Sequence, residues 1–181
     1  MSEADLLTLA GRQHGYFTTV QAGAAGISRR ALVGRRQAGR LEHAAFGLYR
    51  LPQFPDSPLD DLYALQAIAP GGTFSHETAL ERFALSDVLP RTIHLTVPPE
   101  SGLKPRPRVT IHRSRLEPRD RILRDDLWLT SLRRTLADCA RTGTDPDQLL
   151  GALDESRDRG LLSRDDLITL ARIYPFSGVL R

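Results

Sequence analysis

The stretch TTVQAGAAGISRRALVGRRQAGR, residues 18–40, decides how the chain is read. Thr18-Thr19-Val20-Gln21 has the T-x-x-Q spacing of a capping box, in which hydroxyl and amide satisfy each other's free backbone donors, so a helix starts here and runs to about Ala25. Gly26 admits the left-handed backbone of a tight turn, Ile27 plugs a core, and Ser28 caps the next helix, Arg29 to Ala38, which Gly39 closes. Upstream, Ala4 to His14 sets Leu6, Leu7, Leu9 and Ala10 on one helical stripe ended by Gly15, and Tyr16-Phe17 form a short extended step. Downstream the period changes: Arg40 to His43 and Leu48 to Leu51 read as two short strands around Ala44 to Gly47, with Pro52 ending the second. Three helices and a hairpin in residues 1–52 make the pattern of a winged helix-turn-helix, whose third helix lies in the DNA major groove.

Charge points the same way. Residues 1–55 carry seven Arg against Glu3, Asp5 and Glu42, a net of +4, while residues 56–181 carry 18 basic and 19 acidic residues. Six of those Arg stand between Ile27 and Arg50 with Glu42 as the sole acid, the footprint of a polyanionic partner. With Leu32 as the buried anchor of the third helix, Arg30, Gly34 and Gln37 fall on the opposite face and Arg29 and Val33 on its flanks. Arg bonds bidentately to guanine and Gln to adenine, while Ser28, Thr18 and Thr19 at helix N-termini suit phosphate oxygens. Arg35 and Arg36 flank the Leu32 face and reach outward on their aliphatic stems or bind phosphate at the helix edge. The expected DNA-binding set is Thr18, Thr19, Gln21, Ser28, Arg29, Arg30, Arg35, Arg36, Gln37 and Arg40.

Composition excludes other classes. The longest apolar run is four residues, Leu62 to Leu65, far short of the ~20 that a membrane span needs. Met1-Ser2-Glu3-Ala4-Asp5 lacks the basic start of a secretory signal, so a cytoplasmic address is expected. A single cysteine, Cys139, rules out an internal disulfide and a cysteine-rich zinc site.

Pro52 to Pro58 reads as a stiff, extended linker over residues 53–58, with a second domain over residues 59–181. That domain shows a helix at Asp60 to Ile68, another opening at Ser75 as cap, strands at Arg91 to Val97, Arg108 to Ser114 and Leu127 to Leu129, then helices at Leu132 to Arg141, Pro146 to Arg159 and Arg164 to Ile173. The fold class is therefore α+β: an N-terminal winged helix-turn-helix followed by a small α+β domain.

Four segments carry a resemblance: Gly39-Arg40-Leu41-Glu42 with Gly47-Leu48-Tyr49; Thr73-Phe74-Ser75-His76-Glu77-Thr78-Ala79-Leu80; Pro90-Arg91-Thr92-Ile93-His94-Leu95-Thr96-Val97-Pro98; and Leu129-Thr130-Ser131-Leu132-Arg133-Arg134-Thr135-Leu136-Ala137-Asp138. Together, and in this order, they resemble the AbiEi antitoxin family of abortive-infection, type IV toxin–antitoxin systems. The resemblance implies a bacterial transcriptional repressor whose winged helix binds inverted repeats in its own promoter. It also implies a C-terminal domain that counteracts a nucleotidyltransferase toxin encoded in the same operon. Carried over by position, the DNA-reading elements fall on Thr18 to Ala25, Ser28 to Ala38 and the hairpin. In the family apolar residues usually stand where this chain has Arg35 and Arg36, and the hairpin tip is often basic where this chain has Ala44-Ala45-Phe46. A monomer in solution that pairs on DNA satisfies the palindrome.

Catalysis finds less support. His76, His94 and His112 recur every 18 residues, a spacing without ligand geometry, beside Arg91 and Arg113 on predicted strands, so they are expected to be structural or surface histidines and no metal or cofactor is expected. Asp60-Asp61, Asp125-Asp126 and Asp165-Asp166 are the pairs a magnesium-dependent nuclease would use, with the winged helix delivering substrate. Two of the pairs stand at or near predicted helix starts, where carboxylates favour the helix dipole. Arg113 to Arg124 and Arg133-Arg134 interleave with acids and read as mixed solvated surface. A non-enzymatic, DNA-binding autorepressor and antitoxin is the leading reading. The nuclease and a regulator without a toxin partner are the alternatives.

Overall fold

A computed structural model of the chain describes residues 3–178. It is a mixed α+β structure with two sheets, and it divides into compact units of residues 1–70 and 71–181.

The first unit runs α1 (Glu3–Gly11), β1 (Tyr16–Thr18), α2 (Thr19–Ala24), α3 (Arg29–Gln37), β2 (Glu42–Ala45), β3 (Leu48–Arg50) and α4 (Asp60–Ile68). The capping box at Thr18 forms as its spacing predicts: the Gln21 amide N–H donates to Thr18 Oγ1 at 3.2 Å, and the Thr18 amide donates to Gln21 Oε1 at 2.8 Å. Gly26 and Gly39 both adopt left-handed φ, at 79° and 68°, where the two turns need them. Tyr16 and Phe17 do more than connect. Their strand pairs antiparallel with β3, and β2 pairs with the other side of β3, so the hairpin belongs to a three-stranded sheet of order β1-β3-β2. Leu6, Ala10, Phe17, Ala22, Ile27, Leu32 and Leu41 build one core under these elements. On α1 the predicted stripe narrows, with Leu7 48% exposed.

The segment after β3 departs from the sequence-based expectation. Residues 53–58 are not a stiff, extended linker but lie on the first unit, and the two compact units divide after residue 70. The cause is Arg50, which is 7% exposed. Its guanidinium donates to the carbonyls of Phe54 and Pro55 at 3.0 and 2.8 Å, and pairs with Asp56 at 2.9 Å, Glu42 at 3.5 Å and Asp60 at 3.7 Å. Phe54 packs onto the core where Gly15, at φ 88°, lacks a side chain; a Cβ there would stand 2.8 Å from the Phe54 ring. Tyr63 of α4 then stacks on His14 with centroids 3.6 Å apart. The proline-rich stretch is thus folded back, and α4 belongs to the first unit.

The second unit runs β4 (Thr73–Phe74), α5 (His76–Phe83), β5 (Ile93–Val97), β6 (Val109–Arg113), β7 (Arg121–Arg124), β8 (Leu127–Thr130), α6 (Leu132–Thr142), α7 (Pro146–Asp158) and α8 (Arg164–Leu170). Its mixed sheet has the order β6-β5-β4-β8-β7, with β5/β6 and β4/β8 parallel and the other pairs antiparallel. Phe74, Leu80, Leu95, Leu129, Leu136 and Leu153 are fully buried at its centre. β7, which sequence reasoning assigned to mixed solvated surface, pairs with β8 through the two-residue turn Asp125-Asp126, whose φ values of 50° and 59° fit a type I′ hairpin. Among the described residues, no helix is long and apolar enough to cross a membrane.

Replacing Arg50 with Met should remove the charge that organises residues 52–60 while keeping the stem. We expect a loss of about 2 kcal/mol in urea unfolding and faster proteolysis within residues 52–58. Unchanged stability and cleavage would contradict the anchoring role.

Candidate functional site

In the first unit, α3 owes its orientation to Leu32, which is fully buried, and to Ser28, whose Oγ accepts the Ala31 amide at 3.2 Å. Burying Leu32 turns Arg30 and Gln37 outward with Arg29 and Val33 on the flanks; these four are exposed, as are Arg36 beside the Leu32 face and Arg40 just beyond the helix. Arg35 is half-buried and engaged within the fold. No acid lies in residues 27–41, and no described acidic side chain pairs with Arg29, Arg30, Arg36 or Arg40, so their charge stays uncompensated. A Cβ at Gly34 would meet nothing within 4 Å, so no packing constraint inside the chain requires a glycine there.

The α2 residues of the expected set sit differently. Thr18 and Gln21 spend their side chains on the capping box, and Gln21 also exchanges amide contacts with Gln13 at 3.2 and 3.5 Å. Thr19 donates its hydroxyl to the Gly47 carbonyl at 3.2 Å and its amide to the same oxygen at 2.8 Å, tying α2 to the hairpin. These three residues hold the scaffold, whereas Arg29, Arg30, Arg36, Gln37 and Arg40 are presented to solvent. The hairpin tip offers an aromatic ring rather than a cation, with Phe46 99% exposed. Gln21→Ala should therefore cost about 1 kcal/mol in chemical denaturation through the lost cap.

In the second unit, the structure brings together three side chains that sequence spacing had set apart. β5 and β6 run parallel in a register that pairs His94 with Thr110 and Thr96 with His112, so both histidines project from one face. His76, the first residue of α5, completes the group, and one ring nitrogen from each histidine lies within 4.8 Å of the others. The His94 Nδ1 and His112 Nε2 atoms are 3.0 Å apart, and the His76 ring stacks on His112 with centroids separated by 3.6 Å. Ser75 occupies the cap position of α5 without capping it: its Oγ bonds His76 Nδ1 at 2.8 Å and accepts the Thr96 hydroxyl at 2.8 Å. His76 is buried and takes a left-handed φ of 52°, a conformation that costs a residue with a Cβ on the order of 1 kcal/mol or more. A signal was present in sequence: Ile93, Leu95, Val97 and Val109, Ile111 claim one face of each strand, which leaves His94, Thr96, Thr110 and His112 together on the other.

Burial, with the neighbouring His112 and His94 and the Arg134 cation, pushes His76 down from its ordinary 6.5 to about 3; burial lowers His94 and His112 too. All three rings are therefore neutral in the folded protein near neutrality. Below pH 6.5 the unfolded chain takes up protons that the native cluster refuses, so stability is complete above that pH and falls toward pH 3. Unfolding followed by Trp128 fluorescence should show about 1 kcal/mol of loss per pH unit below 6 from His76 alone. A flat profile between pH 6.5 and 5 would contradict the buried neutral cluster.

Other candidates resolve into structure. Asp60 bonds the Ser57 amide at 3.0 Å, Asp125-Asp126 form the type I′ turn, and Asp166 closes a capping box with Ser163. Arg133 and Arg134 are half-buried: both pair with the buried Asp120, and Arg134 also pairs with the buried Asp138 at 2.8 Å. Burial pushes the Cys139 thiol up to about 12, which leaves it unreactive.

The fold resembles that of the crystal structure of RV2827C protein from Mycobacterium tuberculosis, with a TM-score of 0.53, 18% identity, and 92% of this chain and 69% of that one covered. At this identity the likeness concerns the fold alone. No curated protein matches the sequence. Residues 4–52, the helices and hairpin that carry the exposed α3 face, match the family described as "Transcriptional regulator, AbiEi antitoxin".

Proposed function

We propose that the protein is a DNA-binding transcriptional autorepressor and the antitoxin of a type IV toxin–antitoxin operon, acting in the cytoplasm without a catalytic step of its own. The observation that carries this reading is the outward face of α3. Arg29, Arg30, Arg36 and Gln37 stand exposed on a helix without acids, within the segment that matches the AbiEi regulators. On this reading residues 1–52 act as a winged helix-turn-helix, with α2 and α3 as the paired helices and β2-β3 as the wing. α3 enters the major groove, Arg29, Arg30 and Gln37 read base edges, and Arg35, Arg36 and Arg40 meet phosphates. Thr18, Thr19, Gln21 and Ser28 fix the angle of the two helices, and their helix N-termini face the backbone. Gly34 lets the duplex approach the helix closely. Two copies, monomeric in solution, dock on the inverted repeats of the chain's own operator. Residues 71–181 serve the partner role, countering a nucleotidyltransferase toxin.

Gel shifts of the full chain on its own upstream region and on random duplex should show preference for the former. Equal binding at moderate ionic strength overturns the proposal. Arg30→Ala should weaken operator binding by about 1 to 3 kcal/mol and relax one base position. Arg36→Ala should weaken all sequences alike and lower the salt slope by about one. Co-expression with a nucleotidyltransferase encoded beside it tests the antitoxin role; growth arrest that the chain fails to relieve removes that part.

A further inference from the structure

The geometry points to a transition-metal site in the second unit, with His76, His94 and His112 as three imidazole ligands for one divalent ion of the zinc class. Zinc is coordinated by imidazole nitrogens about 2.0 to 2.1 Å away, which sets ligand atoms roughly 3.4 Å from one another in a tetrahedron. Here His94 Nδ1 and His112 Nε2 already stand 3.0 Å apart, and the three nitrogens span at most 4.8 Å. The rings now lie nearly parallel, with His76 stacked on His112 at 14°, so sharing one centre requires His112 to turn out of that stack until the in-plane lone pairs converge. His112 has the freedom for this, being half-buried on β6 at the sheet edge.

The surroundings match a metal-binding arrangement. A ligating imidazole holds its other nitrogen against an oxygen, which fixes tautomer and orientation. Ser75 Oγ stands 2.8 Å from His76 Nδ1, leaving Nε2 for an ion, and Thr92 Oγ1 stands 3.4 Å from His94 Nε2, leaving Nδ1. On binding, the proton shared between His94 Nδ1 and His112 Nε2 moves to an outer ring nitrogen, so the three rings stay neutral and no proton is lost. Of the two cations that argued against a metal in sequence, Arg113 is occupied elsewhere and Arg91 is exposed to solvent, and Arg134, which faces His76, is compensated. Arg113 donates to the carbonyls of Ser101 and Leu103, at 2.8 and 3.3 Å, and Arg134 is paired with Asp138 and Asp120. Glu77 and Asp138 set negative charge toward His94 and His112. Imidazole-only ligation suits zinc, copper and nickel over magnesium or calcium, and three protein ligands leave a fourth position open.

The test uses the full chain, stripped with a chelator and dialysed, with Zn2+ alone as the probe. Calorimetry should show one ion per chain and heating should show a raised melting temperature. His112→Ala should weaken binding by at least about 100-fold and Ser75→Ala by about tenfold. His14→Ala and His43→Ala should leave binding unchanged. Should His112→Ala fail to fold, ring-nitrogen NMR of the unaltered protein decides: Zn2+ must shift the signals of His76, His94 and His112 together. No binding by the folded wild-type chain, equal binding by His112→Ala, or shifts confined to His14 and His43 would overturn the site.

Discussion

The first unit depends on the burial of one guanidinium. Arg50 sits at the end of the central strand of the small sheet, and its donors are distributed over the hairpin through Glu42, over the following segment through two carbonyls and Asp56, and over α4 through Asp60. A buried cation needs this degree of compensation, since leaving water costs several kcal/mol per ion unless partners replace the lost hydration. The requirement fixes the path of residues 52–60. That in turn lets Phe54 seal the core and α4 close over β1. The surface carrying α3 is held by a unit larger than fifty residues, and the positive charge nearest the hairpin is neutralised inside it rather than offered to a ligand.

Local signals were legible in the sequence wherever a backbone group had a nearby partner. The Thr18 box, the Ser28 cap and the bounds of α4 follow from residues a few positions apart, and each element stands where that chemistry puts it. The outward face of α3 was legible for the same reason, because one buried leucine fixes the helix rotation. Partners distant in sequence were not legible. Nothing near Arg50 announces its carbonyl acceptors, and a proline-rich stretch reads as a spacer unless its neighbours are known. The side chains of Thr18 and Thr19 read as suited to phosphate because a cap and a ligand contact use the same chemical groups; the structure adds the capping box and the bond to Gly47 that sequence spacing alone leaves open.

The second unit makes the same point for chemistry. Three histidines at an 18-residue interval carry no helical or strand signature, and parallel pairing of β5 with β6 is what converts the interval into proximity. Sheet register thus acts as an assembler of side chains, placing neutral rings from two strands and one helix start against each other. The acidic pairs show the converse, since Asp125-Asp126 has the composition of an ion site yet serves a backbone turn. Arg133 and Arg134 likewise compensate the buried Asp120 and Asp138 from half-buried positions.

The five-stranded sheet ends in two open rims. Its outer strands are β6 and β7, and they carry Arg113 and the pair Arg121 and Arg124, the latter two lying over the rings of Trp128 and Phe83. Unpaired strand margins invite foreign chains to zip on, and cations along them repel such recruitment. Guanidinium groups, held over aromatic rings along β7 and on loop carbonyls along β6, thus disfavour edge-to-edge growth at both borders.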